Sequence, residues 1–182
     1  MSRSAETAKG HRPKQLATAG HAYESFIAGK SQVESDGGFA PPWMPDFLYD
    51  FQSALVDWAL RKGRAALFED CGMGKTPQQL VWAENVVRKT NRAVLVLTPL
   101  AVSRQTIAEA EKFGIAAKRA TPGAIAAGIH ISNYERLHHF SSGDFAGVVC
   151  DESSILKSFD GATSAAVVEF LRTVPYRLLC TA

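Results

Sequence analysis

With 182 residues, a net charge of +2, 46% hydrophobic and 21% charged residues, the chain has the balance of a soluble globular protein and room for one sizeable domain. No apolar run approaches the roughly 18 residues needed to span a bilayer, and the first twenty residues lack the apolar stretch of a secretory signal. The cysteines Cys71, Cys150 and Cys180 are too scattered for a structural metal site. A cytoplasmic protein is expected, with no membrane partner; so small a net charge neither demands nor excludes a nucleic-acid partner.

Residues 1–45 are rich in Ser, Ala, Gly and Lys and end in the turn-forming string DGGFAPPWMP. They read as a partly ordered N-terminal extension, with a short helix possible over 21–29, where Tyr23, Phe26 and Ile27 share a face. From residue 46 to residue 182, helix and strand patterns alternate. The string DFQSALVDWALRKG places Phe51, Ala54, Leu55, Trp58 and Ala59 on one helical stripe, with Asp50 as the expected N-cap and Gly63 just past the end. RAALFED is a short strand, and a helix is expected over 75–88 with Pro77 in its first turn. AVLVLT (93–98) reads as a strand buried on both faces. A helix through 107–113, strands over 128–134 and 147–152, a helix over 163–173 and a terminal strand YRLLCTA complete the pattern. This alternation predicts an α/β fold with a mainly parallel sheet flanked by helices.

The most informative string is LFEDCGMGKT, residues 67–76. Glycines Gly72 and Gly74 let the backbone bend so that N–H groups of Cys71, Gly72, Met73 and Gly74 face phosphate oxygens, and the following helix adds its positive N-terminal end. Lys75, expected as a solvated charge, would meet the β- and γ-phosphates of ATP, and the Thr76 hydroxyl would ligate Mg²⁺. One position departs from the phosphate-loop consensus: Glu69 stands where the first glycine is usual. Downstream, AGVVCDESS puts Asp151 and Glu152 at the end of a buried strand. Asp151 can hold Mg²⁺ opposite Thr76, and Glu152 can polarise an attacking water, so Lys75, Asp151 and Glu152 form a candidate catalytic set.

Together these motifs resemble superfamily 2 helicases, in particular the remodeller-like branch with DEMGLGKT-type turns, where an acidic residue commonly replaces the first glycine. DESS, in place of DEAD or DEAH, is similar to bacteriophage-type members. The resemblance covers about residues 47–182 and implies a RecA-like P-loop NTPase domain, the first ATP-binding lobe of a DNA helicase or double-strand DNA translocase, with RNA not excluded. It implies further that YDFQ supplies Gln52 to read adenine and that Gln78 belongs to the nucleotide site. LTPLAVSRQT and ISNYERL resemble motifs Ia and Ib, which makes Pro99, Ser103, Arg104, Ser132 and Arg136 nucleic-acid contacts. The terminal CTA is similar to the first half of motif III, so a second RecA-like lobe with its arginine fingers is expected elsewhere. A bacterial or phage-infected cytoplasm would suit such a protein.

Two other functions fit parts of the pattern: a non-hydrolysing ATP-binding interaction module, and another P-loop enzyme such as a small-molecule kinase. The kinase lacks any recognisable acceptor-binding lid. Trp58 and Trp82 are expected to pack in the core, Tyr134 to pack rather than stack on a base, and His138 and His139 to lie on a surface turn. Trp43 could pack over the nucleotide pocket or cap the core.

Overall fold

The computed structural model describes residues 37–157 and 161–181; the helix considered for 21–29 lies outside them. Its regular elements are α1 (Asp50–Lys62), β1 (Arg64–Phe68), α2 (Lys75–Thr90), β2 (Ala93–Thr98), α3 (Ser103–Lys112), β3 (Ala117–Arg119), β4 (Gly128–Asn133), β5 (Phe145–Cys150), α4 (Gly161–Thr173) and β6 (Tyr176–Thr181). The strands form one sheet in the order β1-β6-β5-β2-β4-β3, and every pair is parallel. The expected α/β architecture is therefore present, with β3 as an additional edge strand.

All six residues of β2 and all six of β5 are buried, as strands covered on both faces must be. Alternate residues feed two cores. Val94 and Val96 pack with Val56 and Leu60 of α1 and with Leu80 and Trp82 of α2. Leu95 and Leu97 pack with Phe145, Tyr134 and Leu137, and with Val167 and Leu171 of α4. Gly147 in β5 lets α2 approach closely: a Cβ there would lie 3.1 Å from Val86 and 3.5 Å from the Trp82 ring. Trp82 is fully buried, as expected, but Trp58 is 44% exposed.

The reason is that α1 is turned from the face its apolar stripe suggests. It buries Gln52, Val56, Ala59 and Leu60, and leaves Phe51 41% exposed. The hydrogen bonds of Gln52, described below, hold that sector inward. The N-cap of α1 is Tyr49 rather than Asp50, while Gly63 closes the helix in the left-handed conformation, as expected. The helix expected over 107–113 begins earlier, at Ser103.

Residues 37–45, expected within the extension, pack on the domain, whose compact unit begins at Asp36. Gly38 and Phe39 donate backbone hydrogen bonds to the carbonyls of Arg61 and Leu60 at the end of α1. Phe39 meets Tyr176 edge-on, and Phe47 stacks on Phe113. Trp43 does not cover the phosphate loop: its ring lies under the Arg88 guanidinium at 4.5 Å, and its backbone N–H donates to Asn85 Oδ1 at 2.9 Å. Asn85 is fully buried and also donates to the Val81 carbonyl at 2.8 Å.

A buried amide that fastens a chain segment should be costly to truncate. Asn85→Ala leaves the Trp43 backbone N–H without its acceptor and is expected to cost about 1–3 kcal/mol. Urea denaturation measures the loss, and a red shift of Trp43 emission would report release of the segment.

Candidate functional site

In an all-parallel sheet the loops that follow the strands emerge together at the carboxyl edge, where open α/β sheets bind ligands. β1 ends at Phe68, and the chain turns through Gly72 (φ 86°) and Gly74 (φ 75°), both in the left-handed region that glycine adopts without strain. A Cβ at Gly74 would collide with Gln52 Nε2, whereas one at Gly72 would meet nothing within 4 Å. Gly74 is the N-cap of α2, and no side chain caps that helix start, so its first-turn N–H groups suit an anion. Lys75 is half-buried rather than freely solvated. Its ammonium donates to the carbonyls of Glu69 at 2.7 Å and Asp70 at 3.1 Å, folding back over its own loop. Thr76 is half-buried in the first turn of α2, and Cys71 is exposed.

Buried carboxamides brace the loop from within. Gln52, 4% exposed, accepts from the Tyr49 N–H at 3.1 Å and donates to the Met73 carbonyl at 2.9 Å and, more weakly, to that of Gly74 at 3.5 Å. In this arrangement its amide is engaged by the backbone of the loop. Gln78, fully buried, donates to Glu69 Oε1 at 3.0 Å and to the Gly74 carbonyl at 3.3 Å. The residue that departs from the consensus glycine is thus anchored from beneath. Glu69 Oε2 and Gln78 Oε1 have no hydrogen-bond partner among the described residues.

The acidic pair follows β5. The Asp151 N–H donates to the Leu97 carbonyl of β2 at 2.8 Å, and the Asp151 carbonyl accepts from the Tyr134 hydroxyl at 2.7 Å. Tyr134 packs, as expected, and is 2% exposed. Asp151 Oδ1 accepts from Gln79 Nε2 at 2.7 Å. Burial pushes the Asp151 carboxyl above its usual range, and the Glu152 charge adds to this; the Gln79 hydrogen bond and the Lys75 charge pull it back. Glu152 has φ 50°, and its Oε1 accepts from the Ser154 hydroxyl at 2.7 Å and the Thr181 hydroxyl at 3.4 Å. The Thr181 carbonyl accepts from the Glu69 N–H at 3.1 Å, so the end of β6 touches both the loop and the acid.

A cleft of about 340 Å³ opens where the chain leaves β2 and β4. It brings together Ser103, Arg104, Ser132 and Arg136, four of the five residues expected to meet nucleic acid; Pro99 is not in its lining. Arg119 of β3 and Asn133 complete its polar wall. None of the three arginines pairs with a carboxylate among the described residues, and Arg136 Nε is buried without a hydrogen-bond acceptor.

Sequence reasoning did not find Gln79, Tyr134 as a hydrogen-bond donor to Asp151, or Arg119. Gln79 carried a usable signal, since it lies one helical turn beyond Lys75 and therefore on the same face. Arg119 carried none, because its strand is three residues long and shows no apolar pattern. The donor set suits a Mg·nucleotide: an uncapped helix start, a glycine turn, an ammonium, a hydroxyl, and two consecutive carboxylates at the end of β5.

This is the RecA-like fold of helicase-type ATPase cores. The UvsW helicase from bacteriophage T4 matches with a TM-score of 0.60 at 12% identity, over 87% of this chain and 59% of that one. The Sulfolobus solfataricus SWI2/SNF2 ATPase core, solved in complex with dsDNA, matches with a TM-score of 0.59 at 20% identity, over 79% of this chain and 33% of that one. The chain thus spans about three-fifths and one-third of these two proteins, and the likeness is one of fold. No protein-family model and no curated protein matches the sequence.

The raised Asp151 carboxyl gives a signed pH prediction. A carboxyl whose folded pKa lies above its unfolded value destabilises the fold as pH rises through that interval. Metal-free Asp151→Asn should therefore melt above wild type at pH 8. The gap should shrink as pH falls below the folded-state pKa and vanish below the unfolded-state value, where Asp151 is neutral in both states. Paired thermal melts across that range check it.

Proposed function

We propose that this chain is an ATP-binding and ATP-hydrolysing lobe of a DNA helicase or double-strand DNA translocase. The observation that carries the proposal is the meeting, at one sheet edge, of the Lys75 loop, the Asp151–Glu152 pair and Thr181. In this reading the loop N–H groups and Lys75 hold the phosphates, and Thr76 and Asp151 hold Mg²⁺. Bound Mg²⁺ would supply charge neutralisation at the phosphates. Glu152 accepts the proton of the attacking water. Binding the phosphates would draw the Lys75 ammonium from the two loop carbonyls it now contacts. Gln52, with the stacked and exposed Tyr49 and Phe51 beside it, is the candidate for the adenine end. Its amide would exchange a loop carbonyl for the base edge.

The cleft with Arg104, Arg119 and Arg136 is the candidate track for a phosphate backbone. Three guanidiniums with no carboxylate partner among the described residues favour contact with phosphates, without sequence preference. The dsDNA in the complex of one structural neighbour supports DNA as the polymer. A second RecA-like lobe would provide the arginine fingers, worth about 10³–10⁵ in rate, so this lobe alone should turn over ATP very slowly.

Fluorescent-nucleotide titration tests the reading. Lys75→Ala should abolish Mg·ATP binding while circular dichroism stays unchanged. Glu152→Gln should keep binding and lose hydrolysis, because an amide cannot accept the proton. Unaltered affinity in Lys75→Ala would remove the phosphate-loop assignment.

For the cleft, single-stranded DNA should bind in the non-specific range, roughly 10⁻⁴–10⁻⁶ M, with log affinity falling by about 0.7 per neutralised phosphate against log salt. Replacing Arg104, Arg119 and Arg136 together by alanine should weaken binding and flatten that slope by about 2. An unchanged slope would place the track elsewhere.

A further inference from the structure

We propose that Gln79 is a positioning residue that aims the Asp151 carboxylate at a divalent cation. This rests on the Mg·nucleotide reading above and adds to it a residue on the helix of the phosphate loop. Gln79 lies four residues beyond Lys75 in α2, is 1% exposed, and donates to Asp151 Oδ1 at 2.7 Å. Its own Oε1 is buried with no hydrogen-bond partner among the described residues, and another polar group beside Gln79 is the buried Cys180 thiol, a weak partner. As core packing, then, the amide is a poor choice: a methionine or leucine would fill similar space without a desolvated carbonyl. The group that benefits is the carboxylate.

The backbone of Asp151 is already pinned on both sides, by the Leu97 carbonyl and the Tyr134 hydroxyl. What remains free is the rotation of the side chain, and the Gln79 amide fixes it through Oδ1. Oδ2 is then left for the cation or its bound water. A neutral donor is the suitable partner for this task. A lysine or arginine at residue 79 would also fix the carboxylate, but it would neutralise the charge that attracts Mg²⁺. Hydrogen-bond partners behind metal-binding carboxylates typically contribute 10- to 100-fold to metal affinity.

The experiment uses the full 182-residue chain and a fluorescent ATP analogue, titrated with MgCl₂ and, separately, in EDTA. Gln79→Met should raise the Mg²⁺ needed for half-maximal binding by about 10- to 100-fold, while metal-free affinity shifts by less than about twofold. Gln79→Asn keeps an amide that is one methylene too short to reach Asp151. It should show the same defect and guards against misfolding of the apolar variant. In an Asp151→Asn background, Gln79→Met should add nothing, because its effect passes through that carboxylate. An unchanged Mg²⁺ requirement in both Gln79 variants, or full additivity in the double mutant, overturns the proposal while leaving the nucleotide reading intact. Absence of any Mg²⁺-dependent nucleotide binding in wild type would instead overturn the nucleotide reading, and this proposal with it.

Discussion

Because β6 is inserted between β1 and β5, the strand ends that carry the lysine loop and the acidic pair stand two inter-strand spacings apart, about 9.5 Å in a regular sheet. Adjacent strands would halve that separation and leave no room between lysine and carboxylates for a phosphate chain and a hydrated cation. The intervening strand also supplies the connection across the gap. Thr181 accepts the Glu69 N–H with its carbonyl and reaches Glu152 with its hydroxyl. A shift of β6 by one residue would break both contacts at once and turn its buried Leu178 and Cys180 away from the core they fill. Register in this sheet is therefore a condition on the site as well as on packing.

Around that frame buried carboxamides tie α2 and the lysine loop to their neighbours. Gln78 holds Glu69, Gln79 holds Asp151, Asn85 holds Trp43, and Gln52 of α1 holds the loop at Met73. An amide donates and accepts without carrying charge, so it can sit in an apolar layer for a smaller desolvation cost than an ion. Two of these residues, Gln52 and Gln78, carry a glutamine that the family resemblance assigns to the nucleotide. In the folded chain both are spent on the backbone and the carboxylate of the loop. The glutamine signal in the motif thus coincides with side chains that brace the glycine turn.

Much of this was legible in the amino-acid order. Strands such as AVLVLT and FAGVVC announce themselves because burial on both faces demands unbroken apolar runs, and the glycine turn announces itself because few sequences need two glycines before Lys-Thr. The rotation of α1 was not legible. Its sequence offers two overlapping apolar sectors, and the choice between them is made by Gln52, a polar residue that periodicity counts against burial. The packing of residues 37–45 was not legible for a related reason: it comes from Phe39 meeting Tyr176 and Trp43 docking on α2, which leaves no local period. β3 is too short to have one. Long-range hydrogen bonds such as Gln79 to Asp151, spanning 72 positions, have no sequence signature beyond the shared helical face with Lys75.

The backbone at Glu152 bears on how two consecutive acids would serve the nucleotide site proposed above. Along a strand, neighbouring side chains point to opposite faces, so an extended Asp151–Glu152 pair would aim one carboxylate at the site and the other away from it. The chain avoids this by leaving the strand immediately after Cys150 and placing Glu152 at φ 50°. A non-glycine residue in that region costs on the order of 1–3 kcal/mol, and the surroundings offset it. The Ile155 N–H donates to the Glu152 carbonyl at 3.0 Å, and the hydroxyls of Ser154 and Thr181 both donate to its carboxylate. A glycine at residue 152 would relieve the strain and lose the carboxylate that Ser154 and Thr181 hold. The two serines after the acids then acquire a physical meaning: Ser153 starts the turn that follows, and Ser154 holds the glutamate within it.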